Sequence, residues 1–277
     1  MTQQFPYFSQ HHWQVFDDAQ HEVATSADAA LAYQDSFIRW IPDLQQTPTG
    51  IVHFYPLHQP TILLGAKDTR LPQLARSTRF LQEKGYALSL RSHGGLAVVC
   101  DEGVLNIGIA SDLEQFPLSI DAAYEQMVTL IRQALAPYQL SVEAYEITDS
   151  YCPGTYDLVV NQRKIGGIAQ RRFKTGITTA AYISVCGDQA QRANLIRDYY
   201  QLGEADDSYP NVQASVMATI SDFLDAPITL NSFKARVVET LQSLSTTSVG
   251  NYQHADLQAI FDKMLPIVQQ RSQTIRT

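Results

Sequence analysis

No apolar run in this 277-residue sequence approaches the ~20 residues that a membrane-crossing helix requires. The opening stretch, MTQQFPYFSQHHW, holds neither a basic head nor an apolar signal core, so a soluble, cytoplasmic protein is the expectation. Basic residues are in short supply. Lys and Arg number 20 against 28 Asp and Glu, a net charge of −8, which disfavours nucleic acid as a partner because neutralising phosphates needs basic surface. Cysteine is scarce too: Cys100, Cys152 and Cys186 are odd in number and form no CxxC pair. Neither a disulfide framework nor a structural zinc site is therefore expected, and no metal or cofactor is implied. Repeats, low-complexity blocks and long like-charge runs are absent as well, and with them any strong linker signal.

What is present is a succession of helix-like and strand-like patterns. Ala30, Leu31, Tyr33, Phe37, Ile38 and Trp40 fit one face of a helix over residues 26–40, and Pro42 gives it a stop. The β-rich runs 51–55 and 61–64 flank a connection holding Pro56 and Pro60 and read as adjacent strands. A helix over 72–84 closing at Gly85, a strand over 86–91, the Gly94-Gly95 turn and a strand pair over 96–109 follow. Ile120, Ala123, Tyr124, Met127, Leu130, Ile131 and Leu135 mark a helix over 119–137. Three strands, 156–160, 164–172 and 177–185, are separated by turn-like tripeptides at 161–163 and 174–176. Helices are expected over 190–200, 233–244 and 255–270. The fold class is thus α/β, a mixed central β-sheet flanked by helices, with a main domain over 1–205 and a mainly helical C-terminal extension or cap over 206–277.

Two segments carry chemistry. Ser150-Tyr151-Cys152-Pro153-Gly154-Thr155-Tyr156-Asp157 sets a cysteine in an irregular loop before a strand, where a thiol can be presented. Lys164 opens the next strand, so a fold-back would bring an ammonium toward that thiol and favour thiolate. By composition alone the favoured reading of each cysteine is a small buried apolar residue, and that of Lys164 a solvated charge. Cys100 and Cys186, in strand-like apolar surroundings, read as inert core. In Arg91-Ser92-His93-Gly94-Gly95, the glycines admit close backbone approach to a ligand and Arg91 offers contact to a carbonyl or an acid, though an ordinary hairpin turn has the same composition. His93 has no defined partner and is not assigned a catalytic role. Arg163, Lys164, Arg171, Arg172 and Lys174 form a basic cluster, either a solvated sheet edge or a docking face for an acidic carrier.

Taken in order, Leu64-Gly65-Ala66-Lys67-Asp68, Arg91 to Val98, Asp101 to Asn106 and Lys164-Ile165-Gly166-Gly167-Ile168-Ala169-Gln170 resemble the biotin/lipoate attachment superfamily over roughly residues 27–200. The resemblance implies that superfamily's catalytic-domain fold, an acyl pocket lined by Arg91, Gly94 and Gly95, and a catalytic role for Lys164. Tyr151-Cys152-Pro153-Gly154-Thr155-Tyr156-Asp157-Leu158 looks like the active-site segment of the amidotransferases that take an octanoyl group from glycine cleavage H protein and pass it to lipoyl domains of 2-oxoacid dehydrogenases. That likeness implies Cys152 as nucleophile, an octanoylated H protein as donor and a lipoyl domain as acceptor. Leu96 stands where many lipoate ligases have a third glycine, and a cysteine stands where ATP-dependent ligases need none. Transfer from acyl carrier protein, ATP-dependent lipoate ligation and non-catalytic binding of lipoyl domains are the alternatives.

Overall fold

The computed structural model describes residues 6–21, 26–44 and 48–276. In chain order its helices are α1 (Pro6–Ser9), α2 (Asp18–His21), α3 (Ala27–Trp40), α4 (Leu74–Glu83), α5 (Ile120–Leu135), α6 (Gln189–Leu202), α7 (Leu230–Leu244) and α8 (Ala255–Gln273). The strands are β1 (His12–Asp17), β2 (Thr49–Phe54), β3 (Thr61–Leu64), β4 (Ala87–Leu90), β5 (Val98–Cys100), β6 (Val104–Asp112), β7 (Glu143–Ala144), β8 (Leu158–Val160), β9 (Arg163–Phe173), β10 (Gly176–Ser184) and β11 (Thr247–Val249). They form an eight-stranded sheet ordered β11-β1-β2-β6-β10-β9-β8-β7 and a three-stranded sheet ordered β4-β3-β5. The large sheet is mixed, with β11, β1 and β2 parallel and the rest antiparallel. This is the expected α/β architecture.

Local chemistry accounts for the helix starts. The Ser26 side chain accepts from the Ala29 N–H and caps α3, while Ser119 does the same for α5 through the Ala122 N–H. Pro42 falls in a 3₁₀ turn just past α3, where its ring ends the regular helix. Strand alternation then divides the core. Leu105, Ile107 and Ile109 of β6 pack with α5 and α7, whereas Ile51 and Ala110 turn to the opposite face, with Tyr33 and Phe37 of α3. Because β6 and β10 are buried along their whole lengths, helices cover both faces.

Two pairings differ from those expected. The runs at 51–54 and 61–64 are not neighbours: β2 belongs to the large sheet and β3 to the small one. The connection holding Pro56 and Pro60 carries the chain between sheets. Likewise β5 and β6 do not pair with each other, since β5 joins β3 and β6 lies between β2 and β10. The turn at Asp101–Gly103 is a crossover.

Residues 206–276 pack into the body of the fold. Strand β11 lines up beside β1, Phe233, Val237 and Leu241 of α7 enter the core shared with α5, and Val268 and Ile275 enter the core under the small sheet. Asp28 of α3 binds Ser272 at 2.8 Å and Arg276 at 2.8 Å, fastening the C-terminal segment to the first long helix. Among the described residues no helix is long and apolar enough to cross a membrane.

Candidate active site

Three segments converge between the sheets: the loop from β4 to β5, the loop from β7 to β8, and the facing strands β9 and β10. Cys152 sits in the second, with φ +49, a left-handed backbone that non-glycine residues adopt only at a cost. Lys164, fully buried on β9, explains how that loop is held. Its Nζ donates to the carbonyl oxygens of Cys152 (2.7 Å) and Tyr151 (3.0 Å) and to Ser150 Oγ (3.1 Å), and lies 2.8 Å from the Asp157 carboxylate. Four oxygens surround three N–H bonds.

The fold-back anticipated between Lys164 and Cys152 is therefore present, but the contact differs. Lys164 binds the cysteine's backbone, and the sulfur has another cation. Cys152 Sγ accepts from Arg91 Nη2 at 3.2 Å and from the Leu96 N–H at 3.2 Å. Burial alone would lower the guanidinium's pKa, but the Cys152 sulfur, followed by Asp68 and Cys100, reverses this and pushes it up, so Arg91 stays charged. The same Nη2 donates to the Leu96 carbonyl at 2.5 Å, fixing the glycine loop onto the arginine. Gly95, with φ +104, completes the fit: a Cβ there would lie 2.6 Å from Arg91 Nη2 and 2.9 Å from Cys152 Sγ. Gly94 lies on the exposed side of the same turn.

Cys152 opens on a cavity of about 220 Å³ whose wall includes Leu31, Leu63, Val98, Ile168, Ala180 and Tyr182, with Arg91, Gly94 and Gly95 at its polar side. Apolar lining with a few convergent donors suits a short acyl chain ending in a carbonyl. His93 also lines it, bonded through Nε2 to Thr178 Oγ1 at 2.8 Å; burial lowers its pKa to about 4, so it is neutral at pH 7. The other thiols differ from Cys152. Cys100 is buried against Asn106, and burial pushes it up to about 12; Cys186, also raised by burial, lies in a bend just past β10 rather than within a strand. Among the described residues no His, Cys, Asp and Glu group of three or more is placed to hold a metal.

The basic cluster comes apart in space. Lys164 is buried, Arg171 pairs with Asp35, Arg163 lies over Phe223, and Arg172 donates to Gln170 and to the Leu118 carbonyl. Reversing Arg171 would break a partly buried ion pair, so that residue cannot report on docking alone.

The Leu64-to-Asp68 motif acts behind the glycine loop. Asp68 accepts from the Gly65 N–H (2.7 Å) and the Tyr200 hydroxyl (3.0 Å), and that hydroxyl accepts from the Ala97 N–H (3.3 Å). Burial pushes the Asp68 carboxyl up from 3.8 to about 6, against the pull of the two donors. Between those values the folded chain holds a proton that the unfolded chain has released, so this group lowers stability as pH rises through the window. Asp68→Asn should therefore gain stability relative to the parent between pH 4 and 7, by up to about 3 kcal/mol in urea unfolding. His93 acts with the opposite sign over a similar range and drops out of the difference. A difference that does not change with pH would show that Asp68 is ionised throughout.

The fold is that of solved lipoate protein ligases. Lipoate-protein ligase A bound with ATP superimposes with a TM-score of 0.70 at 16% identity, over 93% of this chain and 94% of that one. A lipoic acid-bound lipoate protein ligase from T. acidophilum, described as putative, gives 0.68 at 15% identity, over 93% and 95%. The family profile of the lipoyl protein ligase A/B catalytic domain matches residues 26–242, and the chain belongs to that family. An octanoyl-[GcvH]:protein N-octanoyltransferase of Bacillus velezensis is 35% identical over 271 residues, 95% of this chain and 93% of the relative. A lipoyl-[GcvH]:protein N-lipoyltransferase of Listeria monocytogenes is 35% identical over 234 residues, 83% of each.

Proposed function

We propose that this acyltransferase takes an octanoyl or lipoyl group from a lysine of an H protein of the GcvH type and delivers it to a lysine on lipoyl domains of 2-oxoacid dehydrogenase subunits, holding it meanwhile as a thioester on Cys152. One observation carries the reading: the Cys152 sulfur, at the wall of a small apolar cavity, is gripped by a guanidinium and a backbone N–H. Donors complement negative charge on sulfur, both when it attacks and when it leaves. Exchange of one lysine amide for another is close to thermoneutral, so the reaction asks for no nucleotide. An ATP-dependent ligase would have no use for a thiol in this position. The GcvH-dependent names of the relatives favour the H protein over acyl carrier protein as donor.

In the first half-reaction the sulfur bonds to the acyl carbon, the C–N bond breaks, and the proton that began on the thiol ends on the lysine amine. The second half-reaction is its reverse with a new amine. Arg91 and Leu96 N–H bind the sulfur, Gly95 lets them close on it, and Lys164 positions the loop. On mixing with octanoylated H protein, intact-mass and peptide analysis should find one octanoyl group on Cys152, discharged when a lipoyl domain is added. Octanoyl-acyl carrier protein should leave no such adduct. Transfer without acylation of Cys152, or transfer that needs ATP and free octanoate, would show the reading to be wrong.

A further inference from the structure

A thioester relay passes through tetrahedral centres whose oxyanion needs a donor, and the donors described so far are engaged at sulfur. Arg91 Nη2 and the Leu96 N–H both point at Cys152 Sγ, and all the N–H bonds of Lys164 are engaged by loop oxygens and Asp157. Of the buried side-chain polar atoms without a hydrogen-bond partner among the described residues, the two belonging to residues that line the Cys152 cavity are Arg91 Nε and the Tyr182 hydroxyl. Tyr182 is 5% exposed. A buried hydroxyl without a partner destabilises a fold, so its retention on a residue lining the cavity onto which Cys152 opens points to a role in the reaction.

The strand register shows how the ring is seated. Tyr182 of β10 stands directly across from Gly167 of β9, and a Cβ at 167 would lie 2.9 Å from Tyr182 Cε1. The missing side chain leaves room for the phenol against the strand that carries Lys164. Its other side stacks on Tyr151, ring centroids 5.6 Å apart, so the ring is fixed by the residue that precedes the nucleophile. Tyr151 is itself tied through its hydroxyl to Gln189. Burial first, then the Tyr151 hydroxyl, Cys152 and Asp157, holds the Tyr182 phenol well above its ordinary range. At neutral pH it is therefore a neutral O–H donor.

We infer that Tyr182 is a further catalytic residue, its hydroxyl donating to the acyl carbonyl oxygen as the Cys152 sulfur adds to the carbonyl carbon. The carbonyl π pair moves onto oxygen as the C–S bond forms, the Tyr182 O–H binds that oxyanion without giving up its proton, and the pair returns as the C–N bond breaks. The phenol finds in the transition state the acceptor it lacks in the free enzyme, which concentrates its effect on kcat. The inference rests on the thioester reading above.

The test is Tyr182→Phe, which removes one oxygen and keeps the ring. Three quantities are read beside the parent: transfer from octanoylated H protein, alkylation of Cys152 by iodoacetamide, and the melting temperature. Transfer should fall about 100-fold in kcat. Alkylation, which forms no oxyanion, should stay within about twofold, and melting should be unchanged or higher because no bond is lost. Transfer at the parental rate overturns the assignment, while octanoyl on Cys152 of both proteins leaves the thioester reading standing. A parallel fall in alkylation overturns it too, since the hydroxyl would then act on the sulfur. A lowered melting temperature would reveal a structural partner and have the same force. Absence of acyl-Cys152 in the parent itself removes the thioester and this inference together.

Discussion

Lys164→Met should cost the fold about 3–5 kcal/mol, because it leaves the Asp157 carboxylate and three loop oxygens facing an apolar side chain in a closed interior. The loss has a definite pH dependence. Burial already pushes the Asp157 carboxyl up and Lys164 pulls it back; without the lysine it rises further above its unfolded value. A carboxyl raised on folding destabilises above its unfolded pKa and is relieved below it, so the penalty should be largest at pH 7 and shrink toward pH 4. Urea unfolding at several pH values measures this directly. Adding Asp157→Asn to Lys164→Met should recover part of the stability at pH 7, since the uncompensated charge is gone. If Lys164→Met were as stable as the parent at pH 7 and merely inactive, the lysine would be a free catalytic base and the clamp assignment would fail. Transfer activity is expected to be lost in either case, which is why stability is the discriminating measurement.

Lys164 illustrates what spacing along the chain can and cannot convey. Its approach to Cys152 was legible because a hairpin brings residues a dozen apart together, and the turn at Asn161 and Gln162, both with positive φ, does so here. Which atom of Cys152 it meets depends on the left-handed backbone at that residue, and nothing in Cys-Pro-Gly announces a cysteine in that conformation. Arg91 was legible as a pocket residue through the resemblance carried by Arg91-Ser92-His93-Gly94-Gly95. Its grip on the sulfur was not, since it joins residues 61 apart in sequence through a contact between sheets. Tyr182 left no signal that a core tyrosine on an alternating strand would not also leave. The informative feature is the glycine across from it, visible once β9 and β10 are in register.

The fold divides in the same way. Helices α3 and α5 were plain in the sequence because a 3.6-residue apolar period runs along each. Strands β1 and β11 escaped notice because they are short and pair in parallel with each other across more than 230 residues. The β-rich runs at β2 and β3 were recognised as strands and assigned the wrong neighbours, since strand propensity says nothing about which sheet a strand will join. The C-terminal helices could be seen, but not their ties. Asp28 holds Ser272 and Arg276 through side chains that composition would leave at the surface.

Replacing Cys152 should separate function from stability in a way that tests the strained loop and the nucleophile together. Cys152→Ala and Cys152→Gly both remove the sulfur, and both should lower transfer by at least about 10⁴-fold, the scale on which loss of a covalent nucleophile is felt. Their stabilities should differ. At φ +49 a Cβ crowds the backbone whereas glycine is at ease, so the glycine variant should unfold about 1 kcal/mol later than the alanine variant, although in ordinary backbone the order is reversed. Both variants strand the Arg91 guanidinium and the Leu96 N–H without their sulfur acceptor, so neither gains the full benefit of relief. Cys152→Ser keeps an acceptor for those donors and should be the most parent-like in stability. It should nonetheless fail in transfer, because a hydroxyl at neutral pH ionises far less readily than a thiol and forms an ester that an amine displaces more slowly. Alanine more stable than glycine at this position would mean that the loop is not left-handed there, and the geometry by which Lys164 holds the carbonyl while Arg91 holds the sulfur would have to be redrawn.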